Sequence, residues 1–279
     1  FLKNRFREHE MAVRIENNGP VRTVIHSRAA ARNAMDPASA DALTQAFLDF
    51  EADDTASVAV LWGEGGAFCS GWDLKYVSQV SPEELEQELA FPEVAPTDPN
   101  DIPRGPLGPT RLVLSKPVIA AIAGPAVAGG MELALWCDIR IMEQSAYLGV
   151  YCRRWGVPLI DGGTVRLPRL VGQGRALEII LTGRKVPAEE CVQIGACESL
   201  VPDGTSRVAA EAMAQEIARF PQVCVRADRY STINQHGRSV REAMKQEWRR
   251  GRAPMRHDAV KGASRFSEGL GRHGDYKKI

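Results

Sequence analysis

A chain of 279 residues has room for one large domain or two smaller ones. Its 35 Lys and Arg match 35 Asp and Glu, so it lacks the basic excess of a dedicated nucleic-acid binder. With 44% hydrophobic and 25% charged residues, the composition is that of a globular protein, not of a disordered or fibrous one.

The opening residues FLKNRFREHE lack the long apolar core of a secretory signal and read as a tail. Strands are expected over 12–15 and 21–25, joined by the turn ENNGP. Asp36 then suits the N-cap of a helix and Pro37 its first position. Leu43, Phe47 and Phe50 recur at helical spacing and form its buried face. VAVLW at 58–62 reads as a short apolar strand, followed by the loop GEGGAFCSGWDLK.

SPEELEQELA begins like a helix, but residues 82–109 are too rich in proline to be one regular element. A long loop of this kind is either a binding lid that shapes a pocket or a disordered segment. Next come a strand at 118–122, a helix over about 130–137 and a strand at 139–142. Helical signals dominate from 164 onward, apart from a short strand near 197–201. Asp203 is expected to cap a helix reaching about 220, with Val208, Ala212 and Phe220 on its apolar face. Residues 222–268 read as further helices rich in Arg and Lys. A boundary near 202 therefore divides an α/β core, 1–202, from a helical region, 203–279. No internal repeat is visible. Strands alternating with helices imply a mostly parallel sheet, with ligands gathering where strands end and helices begin.

The six cysteines, Cys69, Cys137, Cys152, Cys191, Cys197 and Cys224, include no CxxC pair, so no metal site is expected. Most lie in apolar context, like small core residues. With no secretory leader, a reducing cytoplasm is the expected compartment.

The most apolar run, VIAAIAGPAVAGGMELALWC at 118–137, carries one charge, Glu132. Gly124-Pro125 and Gly129-Gly130 break it into pieces, which argues against a membrane span. A buried carboxylate is costly unless paired, so Glu132 either pairs within the core or serves a function. Two Gly-rich loops flank it in purpose: CSGWD at 69–73 and AGGMEL at 128–133. Each follows a strand and precedes a helix-compatible stretch. Two backbone N–H groups facing one oxygen make an oxyanion hole. A carboxylate alongside suits proton transfer next to a carbonyl, and apolar surroundings would raise its pKa to a useful range. The plainer alternative is two ordinary tight turns.

Four ordered blocks carry a resemblance: SRAAARNAMD at 27–36, GGAFCSGWDLK at 65–75, KPVIAAIAGPAVAGGMELALWCD at 116–138 and LPRLVGQGRALEIILTGRKVPAEECVQIGACESLVP at 167–202. The chain resembles the enoyl-CoA hydratase/isomerase, or crotonase, superfamily. The resemblance implies an α/β fold: a crotonase-like spiral of ββα units with a C-terminal helical region used in trimerisation. It implies a coenzyme A thioester substrate, an enolate-like intermediate, no permanently bound cofactor, and a homotrimer or a hexamer made of two trimers. The hole donors carry over to the N–H groups of Trp72 and Gly129, with Trp72 in place of the usual small residue. Ala31, Ser70, Asp73, Leu74 and Gly130 fall on the coenzyme A path. Lys75 either approaches its phosphates or is a solvated lysine.

Glu132 matches the first of the two glutamates of hydratases. The register set by Gly156 and Gly162-Gly163-Thr164 puts Cys152 at the second. Asp161 is the candidate substitute, resembling the catalytic Asp of dienoyl-CoA isomerases, although that loop differs by one residue. The alternative is that Asp161 caps the following helix. Arg153 and Arg154 are candidate partners for it or for phosphates.

The expected function is hydration of 2-enoyl-CoA to 3-hydroxyacyl-CoA. The alternatives are an enoyl- or dienoyl-CoA isomerase using Glu132 and Asp161, or a non-catalytic acyl-CoA-binding protein. GQG at 172–174 lacks the last Gly of a dinucleotide fingerprint, and Ser70 is in no GxSxG elbow. A Cys69–His26 nucleophile pair is disfavoured, and His236, His257 and His273 read as solvated.

Overall fold

The computed structural model describes residues 12–94 and 96–271. The tail expected over residues 1–10 and the solvated His273 lie outside the described residues. β1 (Val13–Asn18) and β2 (Val21–His26) form an antiparallel hairpin. β1 runs on to Asn18, so the turn contracts from ENNGP to Gly19-Pro20, with Gly19 at φ 57°. Polar cross-strand pairs extend it: Asn17 faces Arg22, whose Nε donates to Asn17 Oδ1 at 3.1 Å.

From β2 onward the six-stranded sheet is parallel, in the order β1-β2-β3-β4-β6-β9. Its other strands are β3 (Val58–Gly63), β4 (Val118–Ile122), β6 (Ile139–Glu143) and β9 (Ser199–Val201). Helices cover both faces, which is why β4 is wholly buried and reads as an unbroken apolar run. A second sheet, β5 (Pro125–Val127), β7 (Tyr147–Gly149) and β8 (Lys185–Pro187), was absent from the expectation. Strands of three residues are too short for a two-residue period to register.

The helix Pro37–Ala52 starts as expected: the Asp36 carboxylate accepts from Ser39 N–H at 2.8 Å. Leu43, Phe47 and Phe50 are fully buried, and the Phe47 ring meets Trp136 edge-on at 4.9 Å. A capping box at Ser81 and Glu84 opens the helix Pro82–Leu89. The proline-rich stretch then runs irregularly to a 3-10 turn at Pro109–Arg111. Arginines tie it down. Arg104 pairs with Glu88 at 3.0 Å, and Arg111 donates to the carbonyls of Leu89 and Pro103 at 2.9 and 3.1 Å.

Beyond β9, the helix Ser206–Ala218 lies on the sheet, with Ala210 and Ala214 against Val21, Val58 and Ile119. By its contacts this first helix after residue 202 belongs to the core. Its expected face is corrected. Val208 is 68% exposed, and Ala212 and Phe220 are also exposed. Small side chains spaced by four let the helix approach the strands closely, and they outweigh the larger apolar residues beside them. Asp203 does not cap it either; its carboxylate accepts from Ser145 N–H at 2.9 Å instead. The helices Gln222–Asn234 and Val240–Pro254 follow. Pro254 cannot donate an N–H, and a π-helical turn at Met255–Ala259 leads into Val260–Ser267. No helix among the described residues is long and apolar enough to cross a membrane.

Candidate active site

The loops that follow β2 and β3 pack on each other, and the second of them meets a third, after β5, at one cleft. Asn33, fully buried at φ 56°, staples the first two, its Nδ2 donating to the carbonyls of Glu64 and Ala67 at 2.8 and 2.7 Å. Ser70 N–H donates to Arg32 at 3.1 Å, Met35 N–H to Gly71 at 2.8 Å, and Asp73 N–H to Met35 at 2.9 Å. In this strand-like run successive N–H groups alternate sides, so Trp72 N–H points away from Met35.

The third loop is bonded to the second: Val127 N–H donates to Cys69 at 3.0 Å. Ala128, at φ 54°, turns the chain into the helix Gly129–Trp136. A non-Gly residue in that region is strained and persists because its neighbours hold it. As the first residue of the helix, Gly129 has no partner for its N–H within it. The two loops meet. A Cβ on Gly71 would lie 3.1 Å from the Gly129 nitrogen. Neither Trp72 nor Gly129 N–H donates to another group among the described residues. Gly130 packs against the second loop, where a Cβ would stand 2.0 Å from the Cys69 carbonyl oxygen.

Glu132 is 2% exposed. Its Oε1 accepts from the N–H groups of Gly163 and Asp161 at 2.8 and 3.0 Å. Oε2 has no such partner among the described residues. Burial, then the charge of Asp161, pushes its pKa up to about 8. Asp161 is equally buried. Its Oδ1 accepts from Thr110 Oγ1 and from Leu107 N–H at 3.3 Å, while Oδ2 has no hydrogen-bond partner. Burial raises this carboxyl too.

The capping alternative for Asp161 fails: the helix Gly163–Val171 has Gly162 at its N-cap and no side-chain cap. Nor do Arg153 and Arg154 pair with it. Arg153 Nε reaches the Ile180 carbonyl at 3.4 Å, and Arg154 stacks on Tyr151 at 4.0 Å. The neighbours of Asp161 that sequence reasoning missed are Leu107, Thr110 and Arg166. The first two arrive from the irregular proline-rich segment. Arg166 carries a local signal: it sits one turn into a helix that starts beside Asp161.

Cys152 lies in the 3-10 turn Tyr151–Trp155 and lines the same cleft as Glu132. Burial, then the charge of Glu132, raises its thiol above the usual range, so it is a poor acid–base group near neutrality. Trp72, Leu107 and Ile160 make much of the remaining wall apolar. Ser70 and Leu74 line the cleft as well. Ser70 Oγ donates to the Ala31 carbonyl at 3.3 Å. Asp73 caps the short helix Leu74–Val77 and pairs with Arg28 at 3.2 Å, and Lys75 is exposed. The disfavoured nucleophile pair does not form: neither ring nitrogen of His26 has a hydrogen-bond partner among the described residues, and burial pushes Cys69 up to about 12 and His26 down to about 4. Together the cleft holds two backbone N–H groups with no acceptor among the described residues and two buried carboxyls, each with an oxygen that has no hydrogen-bond partner there.

A family model described as enoyl-CoA hydratase/isomerase matches residues 16–274. Enoyl-CoA hydratase EchA19 of Mycobacterium tuberculosis is 30% identical over 262 residues, 91% of this chain and 92% of that protein. A putative enoyl-CoA hydratase of Thermus thermophilus is 36% identical over 67% of this chain and 70% of its own length. The crystal structure of enoyl-CoA hydratase EchA1 from Mycobacterium marinum superposes with a TM-score of 0.81 at 30% identity, covering 92% of this chain and 96% of that one.

Proposed function

The chain belongs to the enoyl-CoA hydratase/isomerase family, and on that premise we propose that Glu132 moves a proton on a coenzyme A thioester. The observation that carries this reading is the free Oε2 of a buried Glu132 beside two N–H groups with no other acceptor. Trp72 and Gly129 bind the thioester oxygen as it gains enolate charge. Asp161, with its unpartnered Oδ2, takes the acid–base role that Cys152 cannot fill. In hydration of a 2-enoyl-CoA, one carboxylate accepts a proton from the water that attacks the β-carbon. The other carboxyl delivers a proton to the α-carbon. A second reading, isomerisation of an enoyl- or dienoyl-CoA, is favoured by Cys152 and the apolar wall. It uses Glu132, alone or with Asp161, and no water.

Coenzyme A runs past Ala31, Ser70 and Leu74, with Lys75 toward its phosphates. Asp73 and Gly130 serve that path by holding its backbone. The C-terminal helices expose Val240, Met244, Trp248 and Val260, the first three at four-residue spacing along one helix, and exposed apolar patches mark protein–protein contacts. This supports a homotrimer, or a hexamer of two trimers, on a spiral of ββα units. The six unpaired cysteines suit a reducing cytoplasm.

Mass spectrometry of a 2-enoyl-CoA ester incubated with the protein in heavy water tests the reading. Gain of one water identifies a hydratase; deuterium uptake without water identifies an isomerase. No change across short and long esters would point to another crotonase chemistry or to a binding protein. Asp161→Asn keeps the Thr110 contact but removes the second acid–base group. It should lower kcat about 10²-fold with little change in KM. Full activity would leave Asp161 a purely structural role.

A further inference from the structure

Behind the two carboxyls lies a guanidinium that contacts carbonyls rather than a carboxylate. Arg166 Nη1 donates to the Asp161 carbonyl at 2.7 Å, and Nη2 to the Thr110 carbonyl at 2.8 Å. One side chain thus joins the loop 161–163 to the end of the proline-rich segment. That loop supplies both N–H groups on Glu132 Oε1. Thr110 supplies the hydroxyl on Asp161 Oδ1. Gly162 makes room, since a Cβ there would stand 2.2 Å from Arg166 Nη1, and its φ is 95°.

We infer that Arg166 is the positioning residue of this site: it fixes the loop carrying Asp161 against the segment carrying Thr110, and its charge holds the Glu132–Asp161 pair at one shared negative charge. The inference rests on reading those two carboxyls as the acid–base pair. Two carboxyls in a dry cleft repel, and burial works against ionising either. Acid–base work needs one ionised and one protonated. A cation held close, but not locked to either carboxylate, stabilises the singly charged state without neutralising one partner for good.

The other groups facing the pair are few. Arg111 acts on Asp161 from the segment's side, and burial raises the Cys69 and Cys152 thiols. Cys137 and Arg169 face Arg166 itself. Arg166 is therefore the cation that acts on both carboxyls.

Carbon-13 NMR of the full chain, labelled at its Asp and Glu carboxyl carbons, reads the pair directly, with Glu132→Gln and Asp161→Asn spectra assigning the signals. Arg166→Gln should lower the first acid dissociation constant of the pair about tenfold. Arg166→Lys keeps a charge but cannot bridge both carbonyls. It should move that constant less, while kcat falls about tenfold at constant KM. A folded Arg166→Gln protein whose pair titrates like the wild type overturns the inference. If that variant does not fold, an Arg166→Lys protein with wild-type kcat overturns it instead. Should the wild type turn over no thioester, the functional reading fails, yet the titration still decides what Arg166 does.

Discussion

Glu132→Gln leaves a coenzyme A ester bound but lowers turnover by about 10²–10⁴-fold, the usual range for removing a positioned acid–base group. The amide oxygen can still accept from Gly163 and Asp161 at the positions Oε1 now holds, so the loop stays in place. Only the proton at Oε2 is lost. Steady-state kinetics beside calorimetric binding would read kcat apart from affinity, and a fully active variant would end the assignment. The same substitution has a second signature in stability. The folded pKa of Glu132 is pushed up to about 8, above the unfolded value of 4.5. The stability contributed by this carboxyl is fully present below pH 4.5 and is lost as pH rises through 8. Glutamine has no such dependence. At pH 9 the variant should exceed the wild type by an amount on the order of a few kcal/mol, reduced because Asp161 shares the proton. Near pH 5 the advantage should vanish. Urea midpoints at the two pH values measure the difference, and equal gaps would mean that Glu132 titrates normally.

How much of this was legible follows from what each residue must satisfy locally. A lone charge in an apolar run is visible without a structure, because burial of Glu132 follows from its neighbours. The Gly-rich loops are visible too, since a turn from strand to helix needs glycine wherever backbone meets backbone. Asp36 announces a helix start through Pro37 beside it. Contacts that depend on irregular backbone leave no such trace. Thr110 and Leu107 reach Asp161 from a segment whose path is set by Arg104 and Arg111, and no period encodes that path. The Ser206–Ala218 helix shows a different failure. Hydrophobicity pointed to Val208, but close packing on a sheet rewards the smaller Ala210 and Ala214.

Gly130→Ala should disable the cleft without touching a polar group in it. The added methyl would stand 2.0 Å from the Cys69 carbonyl oxygen and 2.7 Å from its carbon. Both are backbone atoms, so no rotamer change relieves the clash. The helix carrying Gly129 and Glu132 must move off the strand that leads into Trp72. Cys69 resists, because its carbonyl also accepts from Val127 N–H. Displacing one donor from its line to the substrate oxygen has the effect of deleting it, about 2.7–4 kcal/mol of barrier or roughly 10²–10³-fold in rate. Forced overpacking also destabilises the fold by about 1–3 kcal/mol. Gly174→Ala is the matched control. It lies in the helix Gln173–Thr182 with open space around its Cβ position. There, in the first turn, alanine should raise Tm slightly, by less than the about 0.5–1 kcal/mol that a Gly-to-Ala change is worth in a helix interior, and leave kcat/KM unchanged. A Gly130→Ala protein with the kinetics of that control would show that the two loops need not touch for the hole to work.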